Sequence, residues 1–331
     1  MIILFDLRNV GLGNNGGSLT LIKSGNTLEK MGHEVYFLDS GKNQHTWEKL
    51  ECEHIIVKNN KQIPSADFII ATGYKSVAKT VSSPGRCGHK AHWIRGWETW
   101  QLSPKKIVAH ILKAPTIKLV NSMGLKNKLK SFNFKSELIR PGYDLKELYP
   151  NRERNKKHKF TIGGLYTRGK HELIKRPEWI FESYNYLKKK YGNIELWMFG
   201  NDDISGGLVD NYFHRPTMEA KQYMYNNIDV WLSPAIQEGL HMPPAEAMMT
   251  GCPVVGVDAE LSGTHDYLID GITGIISEDN LISFMENVEK IYLNHELRKD
   301  MGTRARKKVE EIGDREFNMQ KLIDYFMGII T

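Results

Sequence analysis

"SPAIQEGLHMPPAEAMMTGCPVVGVD", residues 233–258, reads as the end of a strand, a turn, a helix and a second strand in immediate succession. Val230 to Ser233 closes an apolar run, and Gly239 makes the turn. Pro243 and Pro244 stand at the start of the helix, where a missing N–H does no harm. Gly251, Cys252 and Pro253 end it before the apolar "VVGV". Strand, crossover helix and strand in so few residues make one unit of a parallel sheet. Glu238 lies on the loop and Glu246 in the first turns of the helix, with seven residues between them. A helix N-terminus collects free amides and a partial positive charge, which suits a diphosphate. A carboxylate one turn further in is placed to accept from the two hydroxyls of a ribose. The loop carboxylate then faces whatever is attached beyond the phosphates.

The same alternation extends in both directions. "FTIGGLY", "IELWMFGND", "IDVWLSPA", "PVVGVD" and "GITGIIS" are short apolar runs separated by helical patterns such as "RPEWIFESYNYLKKKYG". Upstream, "MIILFDL", "HEVYFLD", "HIIVK", "DFIIATGY", "AHWIRGW" and "TIKLVNS" repeat the scheme. Alternation of this kind predicts parallel sheets covered on both faces. The polar, basic "YPNRERNKKHKF" interrupts it and reads as a linker. The expected organisation is a Rossmann-like doubly wound domain over 1–150 and a second over 151–312. A last helix then occupies 313–331.

A chain of 331 residues is long enough for two ordinary domains. No apolar run reaches the length of a membrane span, and "MIILFDLRNV" reads as a strand rather than a secretory leader. Cys52, Cys87 and Cys252 are too few for a disulfide framework, which points to a reducing compartment and a cytoplasmic protein. The net charge of +6 is uneven, because residues 1–148 hold 22 Lys and Arg against 12 Asp and Glu. In "SPKKIVAHILKAPTIK" and "MGLKNKLKSFNFKS" lysines interleave with Ile, Leu and Phe. Such a face suits peripheral association with an anionic membrane, or simply a solvated surface. No nucleic-acid motif accompanies it.

One motif pulls another way. In "NVGLGNNGGS", residues 9–18, Gly11, Gly13 and Gly16 spell G-x-G-x-x-G after an apolar strand, and Asp39 ends the next strand. Together they fit an NAD(P)-dependent oxidoreductase. The polar "RNV" between strand and glycines makes the loop longer than a dinucleotide turn needs, so this reading is the minor one.

The 233–258 block resembles the E-x7-E signature of retaining glycosyltransferases of family 4, which have the GT-B fold. "NNGGSLTLIKSGNTLEKMGHEVYFLD" is similar to that family's opening glycine loop, helix and strand, and "LIRPGYDLKELYP" to the segment closing its first domain. "KRPEWIFESYNYLKKKYGNIELWMFGND" is similar to the helix after its basic donor-binding residues. "EGLHMPP" looks like the variant of rhamnosyltransferase-like members. The resemblance implies two facing Rossmann-like domains with a cleft between them, the final helix returning to the first domain, and a nucleotide-sugar donor. It implies transfer of a hexosyl or deoxyhexosyl group to a glycan, lipid-linked or other hydroxyl acceptor, with no metal or other cofactor required.

Residue by residue, the resemblance makes Lys175 and Arg168 the cations that neutralise the leaving diphosphate, with Lys170 and Arg176 as alternatives to Arg168. Glu238 contacts the donor sugar and counts with them as catalytic; Glu246 binds the ribose. Gly16, Gly17, Gly239, Leu240, His241 and Met242 line the donor. Where the family often has a histidine after a mid-domain strand, this chain offers Trp97 and Glu98, which with Tyr74 are the acceptor-site candidates. Trp93 and Trp100 complete an aromatic cluster. Cys87, His89 and His92 have ligand-like spacing but lack a matched fourth ligand, and Asp202 with Asp203 reads as a loop pair, so no metal site is expected. A non-catalytic sugar-nucleotide-binding protein is the remaining alternative.

Overall fold

Strands of a parallel sheet covered on both faces read as near-continuous runs of Ile, Val, Leu and Phe, as the apolar runs of this chain do. The computed structural model describes residues 1–41, 43–99, 102–151, 159–204 and 206–331, and only the backbone of Lys170. Contacts divide the chain into two units, Met1–Gly142 with Arg315–Thr331, and Tyr143–Asp314.

Among the described residues the first unit holds a seven-stranded sheet. In chain order its strands are β1 (Ile2–Asp6), β2 (Glu34–Asp39), β3 (Glu53–Ile56), β4 (Phe68–Ala71), β5 (His89–Ile94), β6 (Ile117–Val120) and β7 (Glu137–Leu138). They lie in the order β3-β2-β1-β4-β5-β6-β7, all parallel. The helix Gly16–Lys30 crosses from β1 to β2 and is capped by Asn15, whose side chain accepts from the Ser18 amide. Gly25 on that helix meets the sheet so closely that a Cβ there would stand 2.5 Å from the Phe37 ring. The helix Arg315–Ile330 buries Met319, Leu322, Ile323 and Phe326 in the same core as Ile3, Phe5 and Trp93. Phe326 stacks flat on Phe68 with ring centroids 3.7 Å apart.

The second unit repeats the plan with β8 (Phe160–Tyr166), β9 (Ile194–Gly200), β10 (Asn211–His214), β11 (Val230–Ser233), β12 (Val254–Val257) and β13 (Gly274–Ser277). Among the described residues their order is β10-β9-β8-β11-β12-β13, again all parallel. One face of this sheet packs Ile180, Tyr184 and Leu187 from the helix Pro177–Tyr191 with Phe284 and Val288 from the helix Leu281–Leu293. The other carries Met224, Tyr225, Ala245, Met248 and Ala305. In each sheet the order reverses beside the first strand of the unit, at β1/β4 and at β8/β11. Successive loops part at such a point, and ligands of open α/β sheets bind beyond the carboxyl ends of the strands there.

Candidate functional site

The β8/β11 switch point brings Lys175, Glu238 and His241 together. After β8 the chain runs through a 3-10 turn, Gly169–His171, and a one-turn helix, Glu172–Lys175. Arg176 then takes a left-handed conformation, φ 51°, which turns the chain into the helix Pro177–Tyr191. After β11 comes the loop carrying Glu238 to His241, followed by the helix Met242–Met249. One backbone bond, Ile236 N to Ile174 O at 2.9 Å, ties the two loops.

Lys175 Nζ stands 2.8 Å from Glu238 Oε1, with the lysine side chain about three-quarters covered and the glutamate about four-fifths. Burial pushes the Glu238 carboxyl up, but Lys175, with His241 and His171 beyond it, outweighs burial and holds it below the ordinary carboxylate range. His241 Nε2 lies 3.7 Å from the same oxygen, while Nδ1 is 3.1 Å from Ser233 Oγ. Burial, reinforced by Lys175, lowers the imidazole to about 4 against the pull of Glu238, so His241 is neutral near pH 7.

The loop is set from behind by residues 261–267. Glu238 N donates to Leu261 O at 2.7 Å and His241 N to Gly263 O at 3.2 Å. Tyr267 Oη donates to His241 O at 2.5 Å. Gly263 has φ 78°, and a Cβ on it would come within 2.7 Å of Glu238 Cβ and 2.9 Å of His241 N. With the amides on either side so engaged, those of Gly239 and Leu240 make no hydrogen bond among the described residues. They are the donors this loop offers an anion. The helix that follows offers fewer than expected from sequence: Pro243 and Pro244 occupy its first turn and have no N–H to give.

Glu246 is buried in that helix and already engaged. It accepts from Tyr225 Oη at 2.8 Å and from Lys221 Nζ at 3.0 Å, and Lys221 in turn lies over the Phe199 ring. Burial first, and then Glu246, push the Tyr225 hydroxyl well up, so it stays a donor. Met242 is half-buried at the first helical position. The three alternative cations differ. Arg176 is paired with Asp279 and lies over the Trp179 ring. Arg168 is exposed, with its amide held by Asp202 at 2.9 Å and no side-chain partner among the described residues. The side chain of Lys170 lies outside the described residues.

In the first unit the glycine loop follows β1 and ends at the Asn15 cap, so nine residues separate strand from helix. Gly13 is held by Ser18 Oγ and His45, and Asp39 turns its Oδ1 to the amides of Ser40 and Gly41. A dinucleotide turn would be shorter and would leave that acid to a ribose. Gly16 and Gly17 open the helix. Arg95, absent from the sequence-derived candidates, donates to Gly17 O at 2.6 Å and Thr72 O at 2.8 Å, clamping the start of the helix Gly16–Lys30 to the residue after β4. Glu98 lies beside it and accepts weakly from the Tyr74 amide at 3.4 Å. Burial pushes the Glu98 carboxyl up against the pull of Arg95. Tyr74, Trp97, Glu98 and His92 line a narrow pocket of about 20 Å³, room for about one water. Trp97 is nearly covered, stacked on Phe132. Trp93 is core, its Nε1 donating to Ile139 O at 3.0 Å; Trp100 lies outside the described residues.

Cys87 is buried with Leu4 and Ile63, His89 stacks on Phe68, and His92 is enclosed. Asp202 organises the loop after β9 by accepting from the Arg168 amide. Among the described residues no three His, Cys, Asp or Glu side chains converge as metal ligands would, and no helix is long and apolar enough to cross a membrane. Lys105, Lys106, Lys113, Lys130 and Lys135 are exposed on the first unit, as is Phe132.

Comparison with known proteins bears on the fold. Residues 152–308 match the family model of glycosyl transferases group 1. A capsular polysaccharide biosynthesis glycosyltransferase of Staphylococcus aureus, CapM, is 25% identical over 154 residues, which are 43% of this chain and 38% of the relative. Sucrose-phosphate synthase from Thermosynechococcus elongatus superposes with a TM-score of 0.77 at 13% identity, over 100% of this chain and 99% of that one. Anabaena HepE, solved with UDP and glucose, superposes with a TM-score of 0.76 at 12% identity, over 99% and 100%. The fold is therefore that of the GT-B proteins, built from two Rossmann-like parallel-sheet units.

Proposed function

We propose that this chain, whose residues 152–308 carry the features of glycosyl transferases group 1, is a glycosyltransferase that moves a sugar from a nucleoside diphosphate to a hydroxyl acceptor. The observation that carries this reading is the Lys175–Glu238 pair beside the open amides of Gly239 and Leu240, at the β8/β11 switch point. Departure of a nucleoside diphosphate builds negative charge while the anomeric carbon becomes cationic. Fixed cations and amides aimed at the diphosphate lower that barrier without reorganising. Lys175 and the two amides supply them, with Arg168 as the second cation.

Glu238 holds the donor sugar through its hydroxyls. Glu246 takes the ribose, since Lys221 and Tyr225 leave part of its acceptor capacity open. The sugar is delivered with retention, on the face the diphosphate leaves, and the departing phosphate takes the proton of the incoming hydroxyl. That route asks for no protein nucleophile and no metal. The acceptor is a glycan or a lipid-linked saccharide, with Tyr74, Trp97 and Glu98 as its contacts. The lysine face of the first unit fits work at an anionic membrane on its cytoplasmic side. HepE holds UDP and glucose, which makes UDP the first nucleotide to try.

Thermal unfolding against UDP, dTDP, GDP, ADP, NAD and NADP, with and without EDTA, tests this reading. A ligand that binds only the native state raises the midpoint according to its concentration over Kd. A rise with one nucleoside diphosphate that survives EDTA is expected. A rise with NAD or NADP alone overturns the proposal, and diphosphate binding without transfer or donor hydrolysis would make the protein a binder rather than an enzyme.

A further inference from the structure

His241 has a ring nitrogen that the fold buries and that makes no hydrogen bond among the described residues: Nε2, in a residue 5% exposed. Its surroundings determine which nitrogen carries the proton. Among the described residues, Ser233 Oγ, itself buried, has Nδ1 of His241 as its one partner. If Nδ1 held the proton, the serine hydroxyl would have nothing to donate to. With the serine donating to Nδ1, that hydroxyl is satisfied, and the imidazole proton sits on Nε2. Nε2–H then points toward the site 3.7 Å from Glu238 Oε1, too far for a hydrogen bond between the two. Burial and Lys175 keep the ring uncharged.

We propose that His241 and Glu238 jointly read one hydroxyl of the donor sugar, which accepts from His241 Nε2–H and donates to the Glu238 carboxylate. An oxygen within reach of both groups must accept from the first and donate to the second, and a hydroxyl does both. A phosphate oxygen has no proton to give the carboxylate and is repelled by it, so the pair selects sugar over diphosphate. Ser233 is the positioning residue that fixes the tautomer. The inference rests on the proposed transferase reading and assigns this part of its site to a hydroxyl-bearing sugar at that position.

The test compares wild type, His241→Ala, His241→Gln and Ser233→Ala. Diphosphate release is measured from UDP-glucose, UDP-galactose, UDP-N-acetylglucosamine, GDP-mannose and dTDP-rhamnose, alongside affinity for the corresponding free diphosphate. Expected for His241→Ala is a fall of about tenfold in kcat/KM, the worth of one neutral hydrogen bond, with free diphosphate affinity held within about twofold. His241→Gln, whose amide can donate, should recover part of the loss. Equal falls in diphosphate affinity and kcat/KM, or undiminished turnover in His241→Ala, overturn the inference while leaving the transferase reading intact. If wild type binds no diphosphate and consumes no donor, the transferase reading itself fails and takes the inference with it. Nitrogen-15 NMR of the wild-type imidazole does not depend on variants that fold. It should find the proton on Nε2 at pH 7 and lose that preference in Ser233→Ala; a proton on Nδ1 in wild type overturns the assignment.

Discussion

Lys175 Nζ and Glu238 Oε1 meet at 2.8 Å across two loops that leave adjacent strands, so the cation and the carboxylate of the candidate site fix one another. Removing either leaves the other largely buried and uncompensated. Lys175→Ala should therefore reduce diphosphate release by about 100-fold, the usual cost of losing one preorganised charge-stabilising donor. It should also lower stability by about 1–3 kcal/mol. Turnover assays with denaturant titrations check both; an active Lys175→Ala would remove the central support of the proposal. Glu246→Ala and Arg168→Ala should weaken diphosphate binding with a smaller effect on stability for Arg168, which is exposed.

Acid should destabilise the protein in a defined window. His241 is lowered to about 4 and His92 to about 3, each chiefly by burial, from an ordinary value of 6.5. Below pH 6.5 the unfolded chain binds protons on these rings that the folded chain refuses, so stability falls as pH drops from 6.5 toward 4. Above 6.5 both states are neutral there and the contribution is complete. The thermal midpoint measured from pH 8 to pH 4 should show this fall. His92→Leu, which cannot take up a proton, should flatten it; an unchanged slope would mean that His92 is charged in the fold.

Gly263→Ala should act on the site from a distance along the chain. Its φ of 78° and the 2.7 Å approach to Glu238 Cβ leave no room for a methyl group. A cost of about 1–3 kcal/mol is expected, with a loss of diphosphate affinity because the Glu238–His241 loop must shift. Chemical denaturation paired with calorimetric titration of UDP reads both, and wild-type affinity in the variant would show that the loop is positioned otherwise.

Phe326→Ala tests the last helix as part of the first unit's core. Phe326 is fully buried and stacked on Phe68. Its loss should cost about 3–5 kcal/mol without altering diphosphate affinity in the protein that remains folded. A loss much below 1 kcal/mol would mean that the helix is not packed there.

Much of this protein was legible along the chain. Runs such as Ile2–Asp6 and Val254–Val257 are buried on both faces and announce parallel strands. Glu238, Gly239 and the proline-started helix announce a turn between strand and helix, because turn and cap chemistry is local. The same local reading overcounted the helix amides: Pro243 and Pro244 mark the helix start and also take two donors from it. It offered Arg176 as an alternative cation but could not show that Arg176 pairs with Asp279, more than a hundred positions away.

The sequence by itself determined two α/β units, the order of their strands along the chain and the loop that carries Glu238, because periodicity and turn residues act over a few positions. Only the tertiary structure decided that β8 lies beside β11, that Lys175 meets Glu238, that Arg95 clamps Gly17, and that Gly263 and Tyr267 brace His241. Each of these is a contact between segments distant in the chain. No local spacing specifies such a contact; it follows from how the sheets bury their faces and where their strand order reverses.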